Sequence, residues 1–127
     1  CLVPVERFFE PCWETGKAVP WSIHRQDGEP FTVAAIWDRW TERATGEIVV
    51  SFSMLTINAD GHPIMGRFHR PGDERRSLVV VPPSRWTDWL SATPDTVRAM
   101  LAEMPVAEFT SESVMGLSSA PAQASFL

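Results

Sequence analysis

The sequence predicts an α+β fold: a mostly antiparallel sheet or partial β-barrel with two late helices. Short apolar or alternating runs broken by turn residues fill positions 1–81. Capped helical patterns come only after them, from Ser84 onward. Strands first and helices late argue against a doubly wound nucleotide-binding fold.

Cys1 to Val5 reads as a short strand, held to an edge by Pro4. Phe8-Phe9-Glu10-Pro11 follows, and Glu14-Thr15-Gly16-Lys17 is a turn signal. Trp21-Ser22-Ile23-His24 alternates like a half-buried strand, with His24 facing outward. Asp27-Gly28 before the run Phe31 to Trp37 predicts a hairpin. Glu42 to Gly46 is a further turn, and Val49 to Ile57 alternates as one strand. Asn58 or Asp60 is placed to cap a short helical turn. Leu78 to Val81 reads as a buried strand stopped by Pro82-Pro83. Ser84 can cap a helix from Arg85 to Leu90, whose Trp86 and Trp89 are expected to pack inward. Thr93-Pro94 opens a second helix, Asp95 to Glu103, which Met104-Pro105 stops. Val106 to Phe109 is a candidate last strand, and 116–127 is expected to be a loose tail.

The 127 residues suffice for one core, and 44% hydrophobic with 21% charged residues fit a globular protein. No apolar run approaches the roughly 20 residues of a membrane span, and no signal-peptide pattern opens the chain. A membrane partner is therefore not expected. Two cysteines make no disulfide scaffold, which points to a reducing cytoplasm. A formal charge of −5 excludes whole-surface attraction for nucleic acid, so any DNA contact must come from a local patch.

One such patch stands out. The run 58–77 links two strand-like segments and is too long for a hairpin turn; long connections of this kind are commonly functional. It holds His62 and His69, and Arg67, Arg70, Arg75 and Arg76 stand against only Asp73 and Glu74 between positions 67 and 76. The segment reads as an anion-binding loop carrying a histidine. His69 between Phe68 and Arg70 is a candidate proton carrier, because a neighbouring cation favours the neutral ring. His62-Pro63 reads as a turn former. Glu10, beside Phe8 and Phe9, is a candidate general acid or base, because apolar surroundings raise a carboxyl pKa; a surface glutamate is the bland alternative. No H-E-x-x-H or C-x-x-C spacing supports a metal site, and no cofactor is implied. Cys1 and Cys12 read as small core residues, with an N-terminal nucleophile at Cys1 as the sharper alternative. Six tryptophans and no tyrosine are unusual; core packing is the first expectation for them, base stacking the second.

Taken together, these segments resemble the SOS-response-associated peptidase (SRAP) family, whose members shield abasic sites in single-stranded DNA. Cys1-Leu2-Val3-Pro4 is similar to its internal "RCLVPA" strand, and Phe8-Phe9-Glu10 to its "YYE" or "FYE" element. Trp21 to His24, Asp27-Gly28 and Ala34 to Trp37 resemble "YFIHRADG…AGLW". Met54 to Pro63 and Phe68 to Arg76 resemble the histidine segment of a bacterial and phage-like branch. The likeness runs from about Cys1 to Leu90, and the order of four elements makes it specific. Pro11 departs from it, standing where many members have Trp.

The resemblance implies that 1–115 is the C-terminal portion of an SRAP domain. It gives Glu10 and His69 the catalytic positions and makes Arg76, with neighbours Arg70 and Arg75, the contact to DNA phosphate. It implies a monomer that binds abasic single-stranded DNA and forms a thiazolidine crosslink through an N-terminal cysteine exposed by autoproteolytic removal of the initiator Met. Cys1 matches the internal strand instead, so the nucleophile is expected upstream and this portion is expected to be inactive alone. Two rival readings stay open: a binding module that kept the fold without the chemistry, and a hydrolase using Cys1.

Overall fold

A computed structural model describes residues 1–116. β1 (Leu2–Val5), β4 (Phe31–Thr41) and β5 (Ile48–Met54) form one antiparallel sheet in the order β1-β4-β5. β2 (Arg7–Cys12), β3 (Val19–Arg25) and β8 (Phe109–Ser113) form a second in the order β2-β3-β8. β6 (Thr56–Asn58) pairs with β7 (Arg76–Leu78) at the two ends of the long loop. Two short helices, α1 (Trp86–Leu90) and α2 (Pro94–Val97), follow. This is the α+β class the sequence predicts, and no sheet closes into a barrel among the described residues.

The core joins the two larger sheets. Phe31 of β4 meets Phe109 of β8 edge to face at 5.0 Å, and Phe8 of β2 packs on Phe31 at 6.2 Å. Ile23, Val33, Met65 and Phe68 fill the same cluster with no exposure. A second cluster of Ala34, Val79, Val81 and Trp89 seats the helices on the first sheet. Burying such side chains contributes about 1.5–3 kcal/mol each.

Several local expectations are corrected. The Arg25–Gly28 turn forms, with Gly28 at φ +76°, but the strands around it do not pair as a hairpin. β2 and β8 occupy both edges of β3, so β4 crosses to β1 and β5 instead. The run Val49 to Ile57 breaks at Leu55 into β5 and β6, because the Leu55 N–H turns to the Ala34 carbonyl. All of β5 is exposed, on both of its alternating faces. Pro11 and Pro20 lie opposite one another in the β2–β3 ladder and offer each other no N–H.

Asn58 closes a turn by accepting the Asp60 N–H, and no helical turn is capped there. Ser84 lies inside a 3-10 turn, Pro83–Arg85, which precedes α1. Trp89 packs inward, whereas Trp86 stays 40% exposed and donates Nε1–H to Thr32 and Val81. Thr93-Pro94 opens α2 as expected, with a Thr93–Thr96 capping box that was not expected from the sequence, but the helix passes into a 3-10 turn and ends at Met100. Met104 is pulled into the core, which draws the chain out of helical geometry. Val106–Glu108 is a 3-10 turn, and the last strand begins at Phe109. The tail expected at 116–127 lies outside the described residues from position 117 on.

His62 does more than shape a turn. It is 3% exposed, its Nε2–H donates to the Met104 carbonyl at 2.7 Å, and Nδ1 accepts the N–H groups of Ile64 and Met65 at 3.2 and 3.1 Å. These partners assign the neutral Nε2–H tautomer. The ring therefore pegs the loop to the segment after α2. His62→Ala is expected to lower stability by about 2–4 kcal/mol, because two buried backbone groups and a partly buried one lose their partner. Urea unfolding checks this: the midpoint should fall with the slope unchanged.

Candidate active site

Glu10 lies on β2 opposite Trp21 of β3. His69 reaches it from the loop. Phe68 is fully buried, packs against the Trp21 ring at 6.1 Å, and forms an isolated antiparallel bridge with Cys12. The His69 N–H then donates to the Pro11 carbonyl at 3.2 Å. With that backbone tied down, His69 adopts φ +72°, the only positive φ among the described non-glycine residues. Such a conformation costs on the order of 1–3 kcal/mol and persists where surrounding contacts impose it.

The imidazole sits between two acceptors. Nε2 lies 2.9 Å from the Arg76 carbonyl, and Nδ1 lies 3.6 Å from Glu10 Oε2. A carbonyl can only accept, so Nε2 carries a hydrogen. Nδ1 and the carboxylate would then present lone pairs to each other unless one proton lies between them. Either Glu10 is protonated and faces the Nδ1 lone pair, or His69 is an imidazolium facing a carboxylate. At 3.6 Å the contact is longer than a formed hydrogen bond, an open geometry common in unliganded sites. Both side chains are about four-fifths buried. Burial raises the Glu10 pKa above its ordinary value, and the charge of His69 pulls the other way.

The arginines do not act alike. Arg67 grips Glu14 with Nε and Nη2 at 2.9 and 3.1 Å, and its guanidinium lies 4.7 Å over the Trp21 ring. That hydrogen bond lowers the Glu14 pKa. Arg75 donates to the Gly66 carbonyl and lies 3.9 Å from Asp60. Arg76 donates to the Thr56 hydroxyl and carbonyl, both at 2.8 Å, and pairs with Glu74 at 3.0 Å. Among the described residues, Arg70 alone of the four has no carboxylate partner. It is exposed, and its guanidinium lies 5.9 Å over the Trp13 ring. Trp13 Nε1 is buried without a hydrogen-bond partner.

The structure thus brings Glu10 and His69 into contact and hangs Arg76 behind His69 through its carbonyl. Trp13, Trp21 and Glu14 were missed as site residues. Their signal, two tryptophans stacked under loop arginines, exists only after β2, β3 and the loop come together. His24 is also less exposed than expected: it lies 3.5 Å from Ser22 Oγ and 3.9 Å from Glu112. Cys12 is buried as expected, whereas Cys1 is only half-buried, with its backbone nitrogen 2.7 Å from the Ala35 carbonyl. Among the described residues no cluster of three or more potential ligands could hold a metal. No helix there is long and apolar enough to cross a membrane.

The raised Glu10 pKa has a thermodynamic consequence. Its neutral form is favoured by folding, so its contribution is fully present below the unfolded pKa and is lost as pH rises through the folded one. Glu10→Gln is therefore expected to raise the melting temperature at pH 7 relative to the native protein and to leave it little changed near pH 3. Thermal melts of both proteins at the two pH values check this.

Residues 1–117 match the family model described as SOS response associated peptidase (SRAP). A solved protein from Bordetella bronchiseptica is 38% identical, with a TM-score of 0.84 over 90% of this chain. A second, from Bacteroides thetaiotaomicron, shares the fold at 23% identity and a TM-score of 0.74 over 89% of this chain. The chain spans 54% and 48% of the lengths of these two proteins. A search of curated proteins found no match. On the family match over nearly all of its length, the chain belongs to the SOS response associated peptidase (SRAP) family.

Proposed function

We propose that this chain carries the acid–base half of an SRAP active site that crosslinks to abasic sites in single-stranded DNA. The contact between Glu10 and His69, poised to share one proton, is the observation that supports it. An abasic sugar exchanges between a closed ring and an open aldehyde. His69 protonates the ring oxygen as the ring opens. The amine of a terminal cysteine adds to the aldehyde, and loss of water gives a Schiff base. The thiol then adds across the C=N bond, its proton passing to nitrogen, and closes a thiazolidine. Glu10 takes and returns protons at the amine; the same group serves autoproteolytic release of the initiator Met. A carboxyl with a raised pKa and a directed imidazole suit both duties.

The cysteine is supplied by SRAP-fold polypeptide outside these 127 residues. Cys1 is laid along β4, with its carbonyl accepting from Ala35 and from Trp89. The cavities it lines contain Leu2, Trp37 and Phe52, or Trp89 and Leu90, and neither Glu10 nor His69.

For DNA, Arg70, Arg75 and Arg76 remain the proposed phosphate ligands. Arg70 offers the guanidinium with the most unused donors, because Arg75 and Arg76 already hold the loop. The partner is single-stranded DNA, met by a monomer in the cytoplasm.

Two measurements test the proposal in the protein completed to full SRAP length. With an abasic oligonucleotide on a denaturing gel, His69→Ala and Glu10→Gln are each expected to slow crosslinking by about 10²–10⁴-fold. Unchanged rates would remove the pair from the chemistry and leave a non-catalytic binding module. Arg70→Ala is expected to weaken binding to intact single strands and reduce the slope of log K against log salt by about 0.7. An unaltered slope would sink the phosphate role of Arg70.

A further inference from the structure

A second surface, on strands other than the one that carries Glu10, is apolar and exposed. β1 pairs with β4 only from Phe31 to Ala34. Beyond that, β4 and β5 continue as a two-stranded ribbon with no third strand among the described residues. Register puts Trp37 opposite Phe52 and Arg39 opposite Val50, on the same face as Met54 and Ile48. Trp37 and Phe52 are each 61% exposed and Val50 is 65% exposed. The face runs into an apolar cavity of about 450 Å³, lined by Leu2, Val3, Pro4, Trp37, Val50 and Phe52. Contiguous apolar surface of this kind marks an interaction site, and a bare two-stranded ribbon is marginal without cover. Arg39 is the single cation on it, so it does not fit a nucleic-acid backbone.

The comparisons indicate the occupant. This chain superposes over 90% of its length on the B. bronchiseptica protein, yet accounts for only 54% of that protein. Nearly half of that SRAP-fold chain therefore has no counterpart in these 127 residues. The outer edges of β1 and β5 are both free to accept a strand among the described residues. We infer that the Trp37–Phe52 face of the β4–β5 ribbon and the adjoining β1 cavity are the seat of that other half of the SRAP fold, which covers them with an apolar, strand-bearing segment. This inference does not depend on crosslinking chemistry.

The test fuses the part of the B. bronchiseptica protein outside the match to this chain, in that protein's own order. Phe52→Cys reads the face, and Arg43→Cys, in the turn at the ribbon tip, is the control. Reaction with a disulfide reagent is timed in the chain alone and in the fusion, above the background of Cys1 and Cys12. A thiol at position 52 is expected to react at least tenfold more slowly in the fusion, with position 43 unchanged. Equal rates at position 52 in both would overturn the inference. The same segment is also added as a separate polypeptide and read by sedimentation. Association with the native chain that Phe52→Glu abolishes supports the inference; no association overturns it. A stoichiometric dimer of the chain alone that Phe52→Glu dissociates would assign the face to a second copy instead.

Discussion

The seating of Phe68 is the constraint on which the rest of the site depends. Its ring is fully buried against Trp21, and its backbone bridges Cys12 at the end of β2. That fixes where the next residue begins and leaves His69 a left-handed backbone as the way to meet Glu10. The strain at His69 is thus supported by apolar burial one residue away, a division of labour in which a core side chain aims a reactive one. An imidazole on an untethered loop would lose orientational entropy each time it approached the carboxyl.

The loop that carries His69 is held by polar groups as much as by its core anchors. His62 pins one part to Met104, Arg75 pins another to Gly66, and Arg76 braces the β6 end through Thr56. Arg67 closes the other side on Glu14. A segment that looks in sequence like a basic patch is therefore mostly an internal scaffold, and most of its positive charge is matched locally. In an acidic chain, the proposed phosphate contact would rest on a few positioned donors rather than on a broad positive field.

Much of this was readable from the chain. Glu10 between phenylalanines and a proline, and His69 in a long polar connection, were singled out from local chemistry, and the helix start at Thr93-Pro94 from its Pro at the first helical position. The misreadings share one cause. The Asp27-Gly28 turn and the alternation of Val49 to Ile57 are local signals, whereas strand partnership depends on which edges are already taken. β3 has both edges filled, one of them by a strand from the far end of the chain, and no local pattern announces that. For the same reason Trp13 and Trp21 could not be seen under the loop arginines. The exposure of Trp37 and Phe52 was equally hidden, because alternation reports that a face is apolar but not whether anything covers it.

The placement of β8 also bears on the order of folding. β3, the direct partner of the Glu10 strand, has its other edge satisfied by β8, with Trp21 set against Ser113 and Arg25 against Phe109. Phe109 is at the same time the edge-on neighbour of Phe31 in the core. β8 follows β2 and β3 in sequence with β4 to α2 between them, so this edge stays open until β8 has been made. Contacts of such long sequence separation slow folding. The β2–β3 sheet that carries Glu10 is therefore closed only once the intervening elements exist, and until then β3 holds an unfinished β edge.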